Sequence, residues 1–221
     1  MLLAVDTSTR WIGMALYDGV QIKGEVIWKT NNHHTVELAP ALEQLSSRCA
    51  VSSADLKVLA IALGPGSFTS LRIGLALVKG MALALHVPVI GVPSLDVLAA
   101  AQPLRDLPLA AVLQAGRGRL ALVWYKAHKG KWQADSQAEV VTTATLAGML
   151  QQPSLVCGEL TADDRHILSA SPHAMLVPPV DAMRRPSYLA ALAWKRHQAR
   201  QYDDAASLSP IYLHLNTGTP S

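Results

Sequence analysis

The sequence predicts an α/β protein built on a mixed sheet. Two observations carry this: three strand-like segments joined by tight polar turns open the chain, and apolar strands then alternate with helices. Leu2–Asp6 is a short apolar strand ending in the polar turn Thr7-Ser8-Thr9-Arg10. Trp11–Tyr17 and Gln21–Trp28 are two more strands, joined across Asp18-Gly19, a pair that suits a tight hairpin. Asn31-Asn32-His33-His34-Thr35 is a polar break with capping residues, after which Leu38, Leu42 and Leu45 fall at helical spacing. Pro40 should bend that helix, Thr35–Arg48, or push its regular part downstream, because proline lacks a donor and crowds the preceding turn. Val58–Leu63 is an uninterrupted apolar run, as a strand covered on both faces requires. A Gly-Pro-Gly turn then opens a long helix, Ser67–Leu85, followed by a strand at His86–Val92 and a helix at Ser94–Ala101 with Ser94 as its N-cap.

A meander followed by two strand–helix–strand crossovers gives a five-stranded mixed sheet flanked by helices. That succession matches the ribonuclease H-like half-unit of the actin-like ATPase fold. Gln102-Pro103 to Leu107-Pro108 reads as a linker, so the expected division is residues 1–102 and 103–221. The second unit has strands at Leu109–Leu113 and Leu120–Lys126 around the Gly116-Arg117-Gly118 turn, then one at Lys131–Val141. A helix at Thr145–Gln151, a strand at Leu155–Cys157, a helix at Ala162–Ser169 and a strand at Met175–Val177 follow. These are the elements of a shrunken copy of the first unit, so two related subdomains are expected, the second reduced. A last helix, about 187–201, begins at Pro186-Ser187 and is free to pack back on the first unit, and the tail Thr217–Ser221 is expected to be loose.

Half of the 221 residues are hydrophobic and 16% are charged, which excludes a disordered chain, since burial on this scale offsets the ordering entropy. The longest apolar stretch, Leu71–Val92, is broken by Arg72, Lys79, His86 and Pro88, so no membrane span is expected. The start, Met1 to Asp6, lacks the basic n-region of a signal peptide. Residues 1–110 carry 8 basic and 8 acidic groups, against 11 and 8 in residues 111–221. That surplus, which includes Arg117, Arg119, Lys126, Arg184, Arg185, Lys195 and Arg196, reads as exposed charge, with a direct RNA contact as the alternative. Cys49 and Cys157 form no C-x-x-C, which suits a reducing cytoplasm and provides no cysteine knuckle for a metal.

Three segments are candidates for function. Gly64-Pro65-Gly66-Ser67-Phe68-Thr69 leaves a buried strand and enters a helix. It is either a tight turn capped by Ser67 or Thr69, or an anion site made of free helix-start amides. It is no P-loop, because Thr69 and Leu71 stand where Gly-Lys should follow. Asp6-Thr7-Ser8-Thr9 is either a capped hairpin turn or a carboxylate and hydroxyls facing a phosphate and its magnesium. Asp6, Thr7 and Ser8 form the candidate phosphate site with Gly64, Gly66 and Ser67. His33 and His34 diverge on a helix and lack H-x-x-x-H spacing, so no metal site is expected. The third candidate is the long helix. Leu71, Leu75, Val78, Ala82 and Leu85 form one apolar stripe, and Ile73, Leu77, Met81 and Ala84 a second, with Gly74 and Gly80 allowing close approach. The second stripe is covered either by a subunit interface or by the Thr35–Arg48 helix.

Leu3-Ala4-Val5-Asp6-Thr7-Ser8-Thr9, His34-Thr35-Val36-Glu37-Leu38-Ala39-Pro40 and, above all, Gly64-Pro65-Gly66-Ser67-Phe68-Thr69-Ser70-Leu71-Arg72-Ile73-Gly74 resemble the TsaB (YeaZ) family. These are bacterial tRNA threonylcarbamoyladenosine biosynthesis proteins of the glycoprotease-like (peptidase M22-like) group. The likeness is good over the first hundred residues, thin from there to about 185, and returns faintly at Pro210-Ile211-Tyr212-Leu213. It implies a cytoplasmic protein with no catalytic residues, metal or cofactor of its own. The implied partners are a TsaD-like transferase and a TsaE-like ATPase, with a homodimer when alone and only indirect tRNA contact. It also implies an interface on the two helices of the first unit, which here would involve Leu38, Leu42, Ile73, Gly74, Leu77, Gly80, Met81 and Ala84. The alternative class is an ATPase or phosphotransferase using Asp6 and the Gly64–Thr69 turn. Departures from the family pattern are Ser70 for a glycine, Gln114-Ala115-Gly116-Arg117 for an Asp-Ala-Arg-Arg-like segment, and Tyr212-Leu213-His214 without the usual arginine.

Overall fold

The computed structural model describes residues 1–31 and 34–213, so His33 and the tail from His214 to Ser221 lie outside the described residues. Two mixed sheets share one design. In the first, β1 (Leu2–Asp6), β2 (Trp11–Tyr17) and β3 (Ile22–Lys29) form an antiparallel meander. After α1 (His34–Arg48), β4 (Val58–Ala62), α2 (Phe68–Leu85) and β5 (Val89–Val92) add two parallel strands, giving the order β3-β2-β1-β4-β5. Helix α3 (Ser94–Ala100) leads to the second meander, β6 (Leu109–Gln114), β7 (Arg119–His128) and β8 (Lys131–Ala134), with β9 (Glu139–Thr142) pairing the near half of β7. After α4 (Thr143–Met149), β10 (Ser154–Gly158), α5 (Ala162–Ser169) and β11 (Ala174–Leu176) complete the order β8-β7-β6-β10-β11. The two orders and strand directions coincide, so the ribonuclease H-like unit occurs twice, as in the actin-like ATPase fold, the second time with edge strands of three and four residues.

Strand alternation explains how the first sheet is covered. Leu3, Val5, Ile12, Met14, Leu59 and Ile61 face α1 and α2, which contribute Leu38, Leu45, Leu75, Val78 and Ala82. The opposite face presents Leu2, Ala4, Ala15, Val58, Ala60 and Ala62. Its small side chains let α6 (Pro186–Gln198) settle closely through Leu189, Ala190 and Ala193. The final helix therefore covers the first sheet, and the chain after it stays there: Asp203 bridges to Val89, and Ile211 N donates to Leu63 O at 2.8 Å. Helix α3 lies between the halves, with Val97 in the first-sheet cluster and Leu95, Leu98 and Ala99 in the second-sheet cluster.

Several local expectations are corrected. Helix α1 runs through Pro40, so its regular part is not pushed downstream of the proline. The carbonyl that proline deprives of a donor belongs to Val36, in an exposed first turn that water reaches. The strand expected from His86 begins only at Val89, because His86 is left-handed (φ 54°) and closes α2. The single strand expected over Lys131–Val141 is two, β8 and β9, both paired with the long β7. Helix α4 starts earlier than expected, capped by Thr142, whose hydroxyl accepts from Thr145 N. By length and composition α2 is apolar enough to cross a membrane (18 residues, mean hydropathy 1.5), even with Arg72 and Lys79 within it. Its inner face is closed on the sheet by Leu71, Leu75, Val78 and Ala82.

Candidate functional site

The six residues of the candidate phosphate site do come together, but their polar groups are engaged by one another and by Ser70, Ser94 and Arg184. Gly64 takes φ +97°, a region glycine enters without strain. Gly66 lies against the Ser8 backbone so closely that a Cβ there would overlap Ser8 O, and Ser67 N donates to Ser8 O at 2.7 Å. The Ser67 hydroxyl caps α2 by accepting from Ser70 N, and it also accepts from Ser70 Oγ at 2.9 Å. Thr7 Oγ1 donates to Ser70 O at 2.8 Å. Ser8 Oγ lies 2.5 Å from Ser94 Oγ, which also accepts from Gly64 N at 2.9 Å. Ser94 is thus no N-cap: Pro93 holds that position, and the Ser94 hydroxyl instead ties the two turns together.

Asp6 is likewise engaged. Its Oδ1 accepts from Ser8 N at 2.8 Å and its Oδ2 from Arg184 Nε at 2.9 Å. Arg184 is buried, contrary to its reading as exposed charge. Its Nη2 donates to Thr9 Oγ1 at 3.0 Å and its Nη1 pairs with Glu159, just after β10. Burial opposes the guanidinium charge, but the Asp6 and Glu159 carboxylates outweigh it and hold the pKa above the ordinary arginine value. Arg196, also read as exposed, is half-buried and pairs with Asp203 at 3.0 Å.

The fold implies a nucleotide with magnesium at this place, and the residues present do not fit it. A cleft of about 1190 Å³ opens between the halves, lined in part by Trp11, Lys29, Gln114, Arg165 and Arg184. However, the carboxylate that would face a magnesium ion is paired to a guanidinium, and the hydroxyls and the Ser67 amide are spent on protein contacts. Among the described residues, no group of three or more His, Cys, Asp or Glu side chains is placed to hold a metal. Sequence reasoning missed Arg184 and Glu159 because both are remote from Asp6 along the chain. The available signal was a carboxylate ending a buried strand, which needs a cation from somewhere.

The helix face is the second candidate. Leu38 is 3% exposed and Gly74 packs against Thr7, so neither lines a surface. Ile73, Leu77 and Met81 are half-buried against the core cluster that α1 helps form, and Leu42 shares that environment. The open stripe is displaced by one residue, to Arg72, Ala76, Gly80 and Leu83, next to exposed Ala84. Leu83 is 80% exposed, and a Cβ on Gly80 would meet nothing within 4 Å. The chain after α6 lies along another flank: Lys79 Nζ donates to Ala206 O at 3.3 Å, and Phe68 stacks on Tyr212 with ring centres 5.0 Å apart.

Residues 23–190 match the family model described as "TsaD: tRNA N6-adenosine threonylcarbamoyltransferase". The chain is 30% identical over 219 residues to the tRNA threonylcarbamoyladenosine biosynthesis protein TsaB of Bacillus subtilis, covering 97% of this chain and 94% of that one. It is 28% identical over 157 residues to TsaB of Escherichia coli, covering 69% and 67%. The solved structure of YeaZ from Pseudomonas aeruginosa superposes with a TM-score of 0.78 at 24% identity, over 96% of this chain and 99% of that one, and so shares the fold.

Proposed function

Because the chain belongs to the family of that model and, within it, to the TsaB proteins of tRNA threonylcarbamoyladenosine biosynthesis, we propose that it is a non-catalytic partner in that modification. It holds a TsaD-like transferase, together with a TsaE-like ATPase, in the form that threonylcarbamoylates adenosine beside the anticodon of tRNA. The work is cytoplasmic, where tRNA is, and the chain's own contact with tRNA is indirect. The observation that carries this reading is the self-filled phosphate seat within an otherwise complete double unit. A chain that keeps the fold but spends the polar groups of that seat on itself is suited to binding rather than to nucleotide chemistry. It also disfavours the ATPase or phosphotransferase alternative, which needs Asp6 and the Gly64–Thr69 turn free.

The open ridge of α2 supports docking. An 80% exposed leucine beside a bare glycine offers a partner helix both an apolar contact and close backbone approach. Without the transferase, a second copy of the chain covers the same ridge. Leu83→Glu places a charge there, and at so exposed a site the monomer's stability should change by no more than about 0.5 kcal/mol. Light scattering should show a complex of transferase with wild type and separate species with the variant. An equally stable complex with the variant would remove the ridge from the interface.

A further inference from the structure

We infer that Arg184 is a resident cation that ties the two halves of the molecule together at the place where the fold would otherwise hold a metal-bound ligand. The segment carrying it is fixed to the first sheet. Pro186 packs on Gly13 of β2, where an added Cβ would lie 3.0 Å from the proline ring, and Ser187 N donates to Glu25 Oε1 at 2.8 Å. From that anchor the guanidinium reaches Asp6 at the end of β1, Thr9 in the following turn and Glu159 beyond β10, so a single planar group joins carboxylates from both sheets. Arginine suits the task because its donors lie in one plane with fixed directions and its charge persists at any working pH. The Arg184 and Asp6 side chains are each 2% exposed, and that of Glu159 18%. Removing the cation leaves two largely buried carboxylates near each other without a counter-charge, which is much costlier than the pair's net contribution. The consequence is a fixed angle between the halves without any bound nucleotide.

The test uses the isolated chain, so its outcome is independent of the partner reading. Arg184→Ala should lower the unfolding midpoint by roughly 10 °C. Low-millimolar guanidinium chloride, supplied as a replacement cation, should recover several degrees in the variant and none in wild type. Manganese chloride alone should act in the same direction by bridging Asp6 and Glu159. If Arg184→Ala does not fold, Asp6→Asn/Glu159→Gln/Arg184→Met carries the test. With no charge left uncompensated, it should stay within a few degrees of wild type and ignore both cations. A midpoint unaffected by Arg184→Ala, or lowered without any recovery by either cation, would overturn the inference. So would a triple variant as unstable as the single one, or a magnesium–ATP-dependent midpoint rise in wild type that Asp6→Asn abolishes.

Discussion

Two glycines in α2 should respond to the same substitution with opposite signs. At Gly74 an alanine Cβ would overlap Thr7 Oγ1 and lie 2.9 Å from Thr7 Cγ2 and 3.0 Å from its Cβ. Thr7 cannot give way easily, because it is fully buried and its hydroxyl is bonded to Ser70 O at 2.8 Å. Either α2 moves off the sheet, an overpacking cost of about 1–3 kcal/mol, or Thr7 turns and leaves a buried hydroxyl unsatisfied, at about 1–3 kcal/mol. Part of both is expected, against a helix-propensity gain of roughly 1 kcal/mol. The net loss is about 3 kcal/mol, which for a chain of this size lowers the midpoint by about 6–12 °C. At Gly80 the added methyl meets nothing within 4 Å, so the propensity gain stands alone and Gly80→Ala should raise the midpoint by roughly 2–4 °C. Thermal unfolding followed by far-ultraviolet circular dichroism measures both. A Gly74→Ala midpoint at or above wild type would refute the packing between α2 and the β1 turn.

Two titratable groups give further predictions. Burial raises the Asp96 carboxyl pKa above its usual value, against the hydrogen bond donated by Tyr125 Oη at 2.6 Å. The native state then holds this proton longer than the unfolded state, so the contribution is full below the unfolded pKa and fades as pH rises through the folded one. Asp96→Asn keeps an acceptor for Tyr125 and removes the charge. Its midpoint should exceed wild type at neutral pH and converge with it on acidification towards the ordinary carboxyl range, whereas a gap that ignores pH would contradict the assignment. Burial also pushes the Cys157 thiol up to about 12, and the residue is fully buried, whereas Cys49 is half-exposed. Iodoacetamide at mildly basic pH should therefore label native protein at Cys49 and reach Cys157 only after denaturation. Mass spectrometry showing equal labelling in the native chain would be the contrary result.

What the sequence made legible was the part governed by local rules. The Asp18-Gly19 hairpin closes as its residues require, with Asp18 Oδ1 accepting from Val20 and Gln21 amides and Gly19 at φ +97°. Fully buried strands such as β1 and β4 announce themselves as unbroken apolar runs, and the order of elements then dictates the doubled unit. The less legible features depend on contacts distant along the chain. Arg184 stands beside Arg185 in a basic pair, and nothing local distinguishes the buried member from the exposed one. Only the fold brings Asp6 and Glu159 around the first, while the second lies at the surface against Glu25. Ser94 suits a cap by type, yet its hydroxyl is worth more to Gly64 and Ser8, which no spacing reveals. The α2 stripe was legible as a second apolar side. Which of two adjacent ridges stays open depends on how α1 and the chain after α6 flank it, and periodicity carries no information about that.

Under the proposed function, tRNA threonylcarbamoylation requires this chain although the chain performs no chemistry itself. The most direct measurement is modification of unmodified tRNA by a purified TsaD-like transferase and TsaE-like ATPase, with and without the chain, followed by nucleoside mass spectrometry. Modification should appear when the wild-type chain is added, stay low with Leu83→Glu, and be absent with the chain alone. Full modification by the partners without it, or any modification by the chain alone, would contradict the claim.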